Sequence, residues 1–305
     1  MSAPFGTIAI VGLGLIGSSI ARAVRQALPE TRILGYDRSA DVCARAEAIG
    51  LCDGYHAVFG PELASAEMVI LCVPVGAMGQ VAREIAPALK PDALVSDVGS
   101  TKQSIAAALA EALPDHTVIP AHPVAGTEHT GPDAGFATLF HHRWCILTPP
   151  PGADPDLVAR LAEFWRALGS TVEVMDDEHH DLVLAVTSHI PHLIAYTIVG
   201  TASDLEDVTR GEVIKYSAGG FRDFTRIAAS DPTMWRDVFL HNREAVLEML
   251  GKLTDDLAGM RRAIEAGDGD ALFDRFTRTR AIRRSIIEEG QDDARPDFGR
   301  KHNGD

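Results

Sequence analysis

Cysteine is scarce. Only Cys43, Cys52, Cys72 and Cys145 occur in 305 residues, and no two of them form a CxxC pair. Cys72 and Cys145 sit inside apolar runs, so the four read as reduced, buried thiols, and a cytoplasmic location is expected. Positive charge is also in short supply: 28 Lys and Arg against 43 Asp and Glu leave a formal net charge of −15. Nucleic-acid affinity rests on clustered Lys and Arg that release counterions, so nucleic acid is not an expected partner. No basic stretch or cleavage site precedes the first apolar run, and no secretory signal is expected. The longest mostly apolar stretch, Leu182 to Val199, is interrupted by Ser188, His189, Pro191 and His192. No membrane segment is expected. What remains is ordinary globular composition, 46% hydrophobic, in a chain long enough for two domains that need neither disulfides nor metals to hold a core.

From Gly6 to about Met175 short β-branched runs alternate with helical patterns. The runs are Thr7–Val11, Ile33–Tyr36, Met68–Val73, Ala93–Asp97, Thr117–Ala121, Trp144–Leu147 and Thr171–Val174. This rhythm predicts an α/β fold, a Rossmann-type doubly wound parallel sheet with helices on both faces. Past Asp176 helical periodicity takes over, which predicts an all-α C-terminal domain. The expected division is 1–174, 175–290 and a disordered polar tail over 291–305, with the Pro-rich segment 148–155 a loop of the first domain. Asp231-Pro232 is a helix start, with Asp as cap and Pro in the first turn. Apolar residues then recur from Trp235 to Ile264, which predicts one helix running to Gly267. So long a stripe exceeds what one small domain covers, and a homodimer through the helical domain is expected.

Gly12-Leu-Gly14-Leu15-Ile16-Gly17 places a GxGxxG directly after a strand and at the head of a helix. In that setting Gly12 permits the tight turn and Gly14 lets the backbone approach a pyrophosphate, while Gly17 lets helix and strand pack closely. The helix N-terminus over Leu15 and Ile16 offers free N–H groups to phosphates. Asp37 follows Gly17 by 20 residues at the end of the second strand, where an acid accepts ribose hydroxyls and favours NAD over NADP. Arg38 beside it partly offsets that preference.

Ligands of doubly wound sheets bind at the carboxyl ends of strands. Two such places carry polar residues, Gly99-Ser100-Thr101-Lys102 and His122-Pro-Val-Ala-Gly-Thr127-Glu128. His122 is the candidate base that takes a proton from an alcohol as hydride leaves, and Ser100 orients it or shares the hydroxyl. Ser188-His189-Ile-Pro191-His192 sets two histidines three apart on one helix face. No carboxylate or cysteine completes a metal set around them, and no metal is expected. Pro191 lacks an N–H and should kink the helix or open its ladder. His179 and His180 follow three acids and are expected on a solvated surface. Arg222 and Arg226 lie one helical turn apart between Phe221, Phe224 and a glycine pair. Arginine's planar fork suits a carboxylate, with Arg222 expected to pair structurally and Arg226 to bind ligand.

These residues resemble the prephenate and arogenate dehydrogenases of tyrosine biosynthesis. The resemblance covers nearly the whole chain and rests on the glycine motif, Asp97-Val-Gly-Ser100-Thr-Lys102, His122 to Glu128, Ser188 to His192, and Gly219-Gly-Phe-Arg-Asp-Phe-Thr-Arg226 with Asp231-Pro-Thr-Met-Trp235. It implies NAD-dependent oxidative decarboxylation of prephenate to 4-hydroxyphenylpyruvate, or of arogenate to tyrosine. On that reading His122 accepts the ring-hydroxyl proton, Ser100 helps hold the hydroxyl and Arg226 binds a carboxylate. Ser188, His189 and His192 line the side-chain end of the pocket; Thr127 and Glu128 belong to the substrate site, Glu128 near its mouth. No segment is expected for a fused mutase or regulatory domain. Two other readings are an inactive dinucleotide-sensing regulator, which predicts a missing base or clamp, and a β-hydroxyacid dehydrogenase, whose lysine-centred site is not matched.

Overall fold

A computed structural model describes residues 3–127, 129–204 and 219–288 of the protein. The expected tail over 291–305 lies outside the described residues. The chain separates into two compact units, 1–247 and 248–305.

In the first unit, β1 (Thr7–Val11) lies between β2 (Arg32–Tyr36) and β4 (Met68–Leu71), with β3 (Gly54–His56), β5 (Leu94–Asp97) and β6 (Thr117–Val118) completing a six-stranded sheet. Its order is β3-β2-β1-β4-β5-β6 and every pair is parallel. Period-two alternation sends Ile8 and Ile10 to one core and Ala9 and Val11 to another. Both faces of the central strand are therefore buried, which is why it reads as a continuous apolar run. The first core takes Ile20 and Val24 of α1 (Leu15–Ala27) and Phe164 and Trp165 of α5 (Pro155–Ala167). The second takes Met78 and Ile85 of α3 (Met78–Ile85) and Ile105 and Leu109 of α4 (Gln103–Ala112). The short helix α2 (Ala40–Ala48) follows β2. Strand order reverses between β1 and β4, and this switch point is where such sheets receive ligands.

The expected single sheet is corrected in two places. The short strand β3 was not anticipated, and the run Thr117–Ala121 is not one strand. Pro120 has no N–H to give a ladder, so the chain leaves the first sheet after β6 and starts a second as β7 (Ala121–Pro123). That sheet has the order β7-β8-β9, with β8 (Trp144–Leu147) antiparallel to β7 and parallel to β9 (Thr171–Val174). His122 therefore lies within a strand of the second sheet rather than in a loop after the first.

Asp176 caps α6 (Asp177–Leu184), its side chain accepting from His179 N at 2.7 Å. A π-helical turn, Ala185–His189, leads into α7 (Ile190–Ser203), with Pro191 in its first turn. A proline there has no N–H for the regular ladder, and the wider turn absorbs the misfit. By length and composition alone Asp177–Ser203 could cross a bilayer, its most apolar 18-residue window having a mean hydropathy of 1.6, a property that core helices share. His180 and Asp181 are buried in this stretch. The helix α8 (Gly219–Thr225) and a 3-10 turn, Arg226–Ala229, precede α9 (Pro232–His241), capped by Asp231 through Thr233 N and Met234 N.

The long helix expected from Pro232 to Gly267 is two helices, α9 and α10 (Arg243–Ala266). Asn242 breaks it at φ −112°, ψ 36°, with its amide turned into the interior. Asparagine competes with the ladder for local hydrogen bonds, and here its side chain has a buried task.

The second unit is the remainder of α10 and α11 (Gly269–Glu288), turned at Gly267 with φ +66°. Arg275 and Asp256 pair across it at 2.7 Å. Leu257, Ile264, Phe273 and Phe276 are exposed on it.

Candidate active site

The glycine loop is shaped by backbone crowding. Gly12 sits at φ +99°, and a Cβ there would lie 2.4 Å from the Cys72 carbonyl oxygen; one on Gly17 would lie 1.9 Å from the Gly12 oxygen. Gly14 has nothing within 4 Å of the same position. Two of the three glycines thus close the turn, and the third leaves an open approach to the backbone. Gly14 is also the N-cap of α1, with no side-chain cap and no acid in the first turn. Among the described residues no carboxylate takes the N–H groups of Leu15, Ile16 or Gly17, and the helix dipole adds partial positive charge. Leu15 and Ile16 pack half-buried against the first core. Asp37, at the end of β2, accepts from Leu13 N at 3.0 Å and from Ser39 N at 2.9 Å. Each carboxylate oxygen keeps capacity for a further donor. Arg38 beside it is exposed. Open backbone, a free helix N-terminus and an acid at the next strand end fit a dinucleotide.

The other end is held by buried charges. Lys102 is fully buried; its Nζ donates to Asp97 Oδ2 at 2.5 Å and to the Ala121 carbonyl at 2.7 Å. Asp97 also accepts from Gly99 N at 2.7 Å and Ala121 N at 3.2 Å. Burial pushes the Lys102 pKa down while Asp97 opposes the shift. This pair fastens β7 to the end of β5, and so sets where His122 stands.

His122 is 7% exposed, and its Nδ1 lies 2.8 Å from His180 Nε2. His180 Nδ1 lies 2.9 Å from Asp181 Oδ1. Asp181 caps α4, accepting from Lys102 N at 2.7 Å and Gln103 N at 3.0 Å. Desolvation is the main cause holding His122 well below the ordinary histidine range, with His180, Lys102 and His189 adding to it. An uncharged imidazole is the form that can accept a proton. The expectation of a solvated His180 is corrected: it is 0% exposed, whereas His179 is exposed. The acids before it cap the helix, and the next side chain turns inward.

His189, expected along the pocket, is entirely buried and faces Asn242 Nδ2 at 3.1 Å through its Nδ1; its Nε2 has no partner among the described residues. Desolvation lowers its pKa to about 4. His192 is half-buried. Its ring stacks on Trp235 at 3.6 Å between centroids, and its Nδ1 donates to the Ser188 carbonyl at 2.9 Å. Burial lowers its pKa, the Ser188 bond opposes this, and the nearby Arg226 charge lowers it further. Ser188 is half-buried in the π-turn, and Arg226 is exposed at the start of its 3-10 turn. Arg222 pairs with Asp223 at 3.7 Å. Ser100 is half-buried between β5 and α4; Thr127 is exposed and its hydroxyl accepts from His129 N at 3.2 Å. Glu128 lies outside the described residues. Among the described residues no group of three or more His, Cys, Asp or Glu is placed to hold a metal ion.

Sequence reasoning assigned no part to Asp97, Lys102, His180, Asp181 or Asn242. Asp97 and Lys102 bracket Ser100 at the end of a strand, a signal that was available. His180 and Asp181 are neighbours on α6, but their partners His122, Lys102 and Asn242 lie 58 to 79 residues away, and no local signal marked His180, Asp181 or Asn242.

Residues 20–174 match the family described as prephenate dehydrogenase, nucleotide-binding domain, and residues 176–278 the family described as prephenate dehydrogenase, dimerization domain. The chain is 45% identical over 282 residues to a cyclohexadienyl dehydrogenase of Zymomonas mobilis, covering 92% of this chain and 96% of that one. It superposes with a TM-score of 0.85 on prephenate dehydrogenase from Aquifex aeolicus, solved with hydroxyphenyl propionate and NAD+, at 31% identity over 94% of this chain and 98% of that one. With Synechocystis arogenate dehydrogenase the TM-score is 0.79 at 26% identity, covering 92% and 99%.

Proposed function

The chain belongs to the prephenate dehydrogenase family, and from that premise we propose that it is an NAD-dependent oxidoreductase acting in tyrosine biosynthesis on a cyclohexadienyl acid. It converts prephenate to 4-hydroxyphenylpyruvate, arogenate to tyrosine, or both, with release of CO2. The observation that carries the reading is His122, buried and held well below the ordinary histidine range by desolvation, in the same unit as an open glycine loop.

The residues divide the work. Gly12, Gly14 and Gly17 shape the loop, the α1 N-terminus over Leu15 and Ile16 faces the phosphates, and Asp37 with Arg38 beside it meets the adenosine ribose. NAD, when bound, supplies the hydride acceptor. His122 takes the proton of the ring hydroxyl, and Ser100 helps hold that hydroxyl. As hydride leaves the hydroxyl-bearing carbon and CO2 leaves the opposite end, the ring becomes aromatic, so the protein need only position and deprotonate. Arg226 clamps a substrate carboxylate. Ser188, His192 and the buried His189 shape the side-chain end, and Thr127 serves the substrate site, as does Glu128 by the family resemblance.

We assign the domain boundary to 174–175 and the active species to a homodimer formed through the helical domain. The outward Leu257, Ile264, Phe273 and Phe276 support the dimer, since large exposed apolar groups mark contact surfaces. So does the 28% burial of the apolar stretch within 177–203. Free thiols at all four cysteines accord with a cytoplasmic enzyme.

The deciding assay follows nicotinamide reduction by purified protein with prephenate and with arogenate, each tried with NAD and NADP. NAD reduction with either acid is expected. None with any pair, despite bound NAD, would instead support a nucleotide-sensing regulator. In the same assay Arg226→Ala should raise KM about 10- to 100-fold, the worth of one charge-assisted clamp; an unchanged KM moves the carboxylate elsewhere.

A further inference from the structure

We propose that His180 is a positioning residue that sets the tautomer of His122, so that the base presents an unprotonated Nε2. The inference rests on the reading of His122 as the general base and goes beyond it by naming the groups that prepare it.

The argument is a count of donors and acceptors. An ionised carboxylate only accepts. Asp181 Oδ1 already receives Lys102 N at 2.7 Å, and Oδ2 receives Gln103 N at 3.0 Å. Its 2.9 Å contact with His180 Nδ1 therefore needs the proton on Nδ1. A neutral imidazole carries one N–H, so His180 Nε2 is a lone pair. His122 Nδ1, 2.8 Å away, must donate to it. The one N–H of His122 is then used, and Nε2 is left bare. The helix N-terminus of α4 is the origin of this order, because its N–H groups fix the Asp181 carboxylate. Asn242 Nδ2 steadies the same residue from the other side, donating to the Asp181 carbonyl at 2.8 Å. His122, His180, Asp181 and Asn242 are all buried, so water does not compete for these bonds.

Protonated His180 would reverse the contact, donating from Nε2 and forcing the His122 proton onto its own Nε2. Burial and the Lys102 charge oppose that cation, while Asp181 and Asp97 favour it; the net direction is downward, as it is for His122, which also faces His189. The two rings titrate as a coupled pair, and acid removes the base by either route.

The test uses the full chain with its histidines labelled with nitrogen-15. Long-range proton–nitrogen correlation, assigned with His122→Asn, should show the His122 proton on Nδ1 and none on Nε2 above the acid transition. His180→Leu, which removes the acceptor, should mix the His122 tautomers and lower kcat about 10²-fold, with KM and NAD affinity kept. His180→Gln, whose carbonyl can accept from His122 Nδ1, should recover most of that loss. A proton on His122 Nε2 in the unaltered protein overturns the proposal, as does wild-type kcat in a folded Leu variant or a Gln variant as slow as Leu. If the Leu variant does not fold, the tautomer of the unaltered protein decides. Full turnover in His122→Asn would refute the base itself, while the spectrum would still read the tautomer.

Discussion

The two ends of the site are built by different means. From Thr7 to Asp37 the nucleotide end is one short length of chain: a strand, a glycine turn, a helix and a second strand, acting largely through backbone N–H groups. The His122 end is made of side chains from β5, β7, α4, α6 and the break before α10. Its hydrogen bonds span 58 residues between His122 and His180, 61 between Asp181 and Asn242, and 79 between Lys102 and Asp181. A backbone site can be written as a short motif because its geometry is local. A side-chain site of this kind exists only once the fold is complete.

That contrast can be broken from either side. His122→Asn should cut turnover about 10²- to 10⁴-fold, as loss of a general base does, with NAD affinity unchanged by titration calorimetry; a joint loss would mean that the two ends are not separate. Lys102→Met should destabilise the fold by about 3–5 kcal/mol in denaturant unfolding, because it leaves Asp97 buried without its partner. A change below about 1 kcal/mol would show that Asp97 takes up a proton at little cost. At the nucleotide end the glycines should divide. Gly17→Ala places a methyl against the Gly12 oxygen and should cost about 1–3 kcal/mol of stability. Gly14→Ala has open space and should leave stability nearly unchanged while weakening NAD binding; equal effects on stability would deny the open approach. The smallest effect is expected of Asp37→Ser, an erosion of NAD preference over NADP in the ratio of kcat/KM, and an unaltered ratio would hand that choice to Arg38.

Legibility follows the same division. Strand β1 and the Gly12 loop were readable because period two, β-branching and glycine spacing are local signals. Asp231-Pro232 marked the start of α9 for the same reason. Pro120 ended a strand, and its effect was underread, since a proline tells where a ladder stops but not which sheet the chain joins next. Asn242 sat inside an unbroken apolar stripe, and only its distant partners explain the break. His180 was misread because an acidic neighbourhood usually means solvent; here Asp176 was occupied as a cap. His122 and Arg226 were found from residue type and motif, and their roles are proposals that the substitutions decide.

The buried Asp97–Lys102 pair has a consequence in time. Lys102 touches β7 through Ala121 and contacts Asp181 through its backbone, so these contacts close only after the parallel sheet, the second sheet and α6 have met. Lys102 lies 5 residues from Asp97 and 19 from Ala121 but 79 from Asp181, so the Asp181 contact carries the largest loop-closure cost and is expected last. The expectation on refolding is an interval in which the glycine loop is already shaped and the base is not yet set. Amide exchange at Lys102 and Gln103, whose N–H groups lie on Asp181, would mark its end.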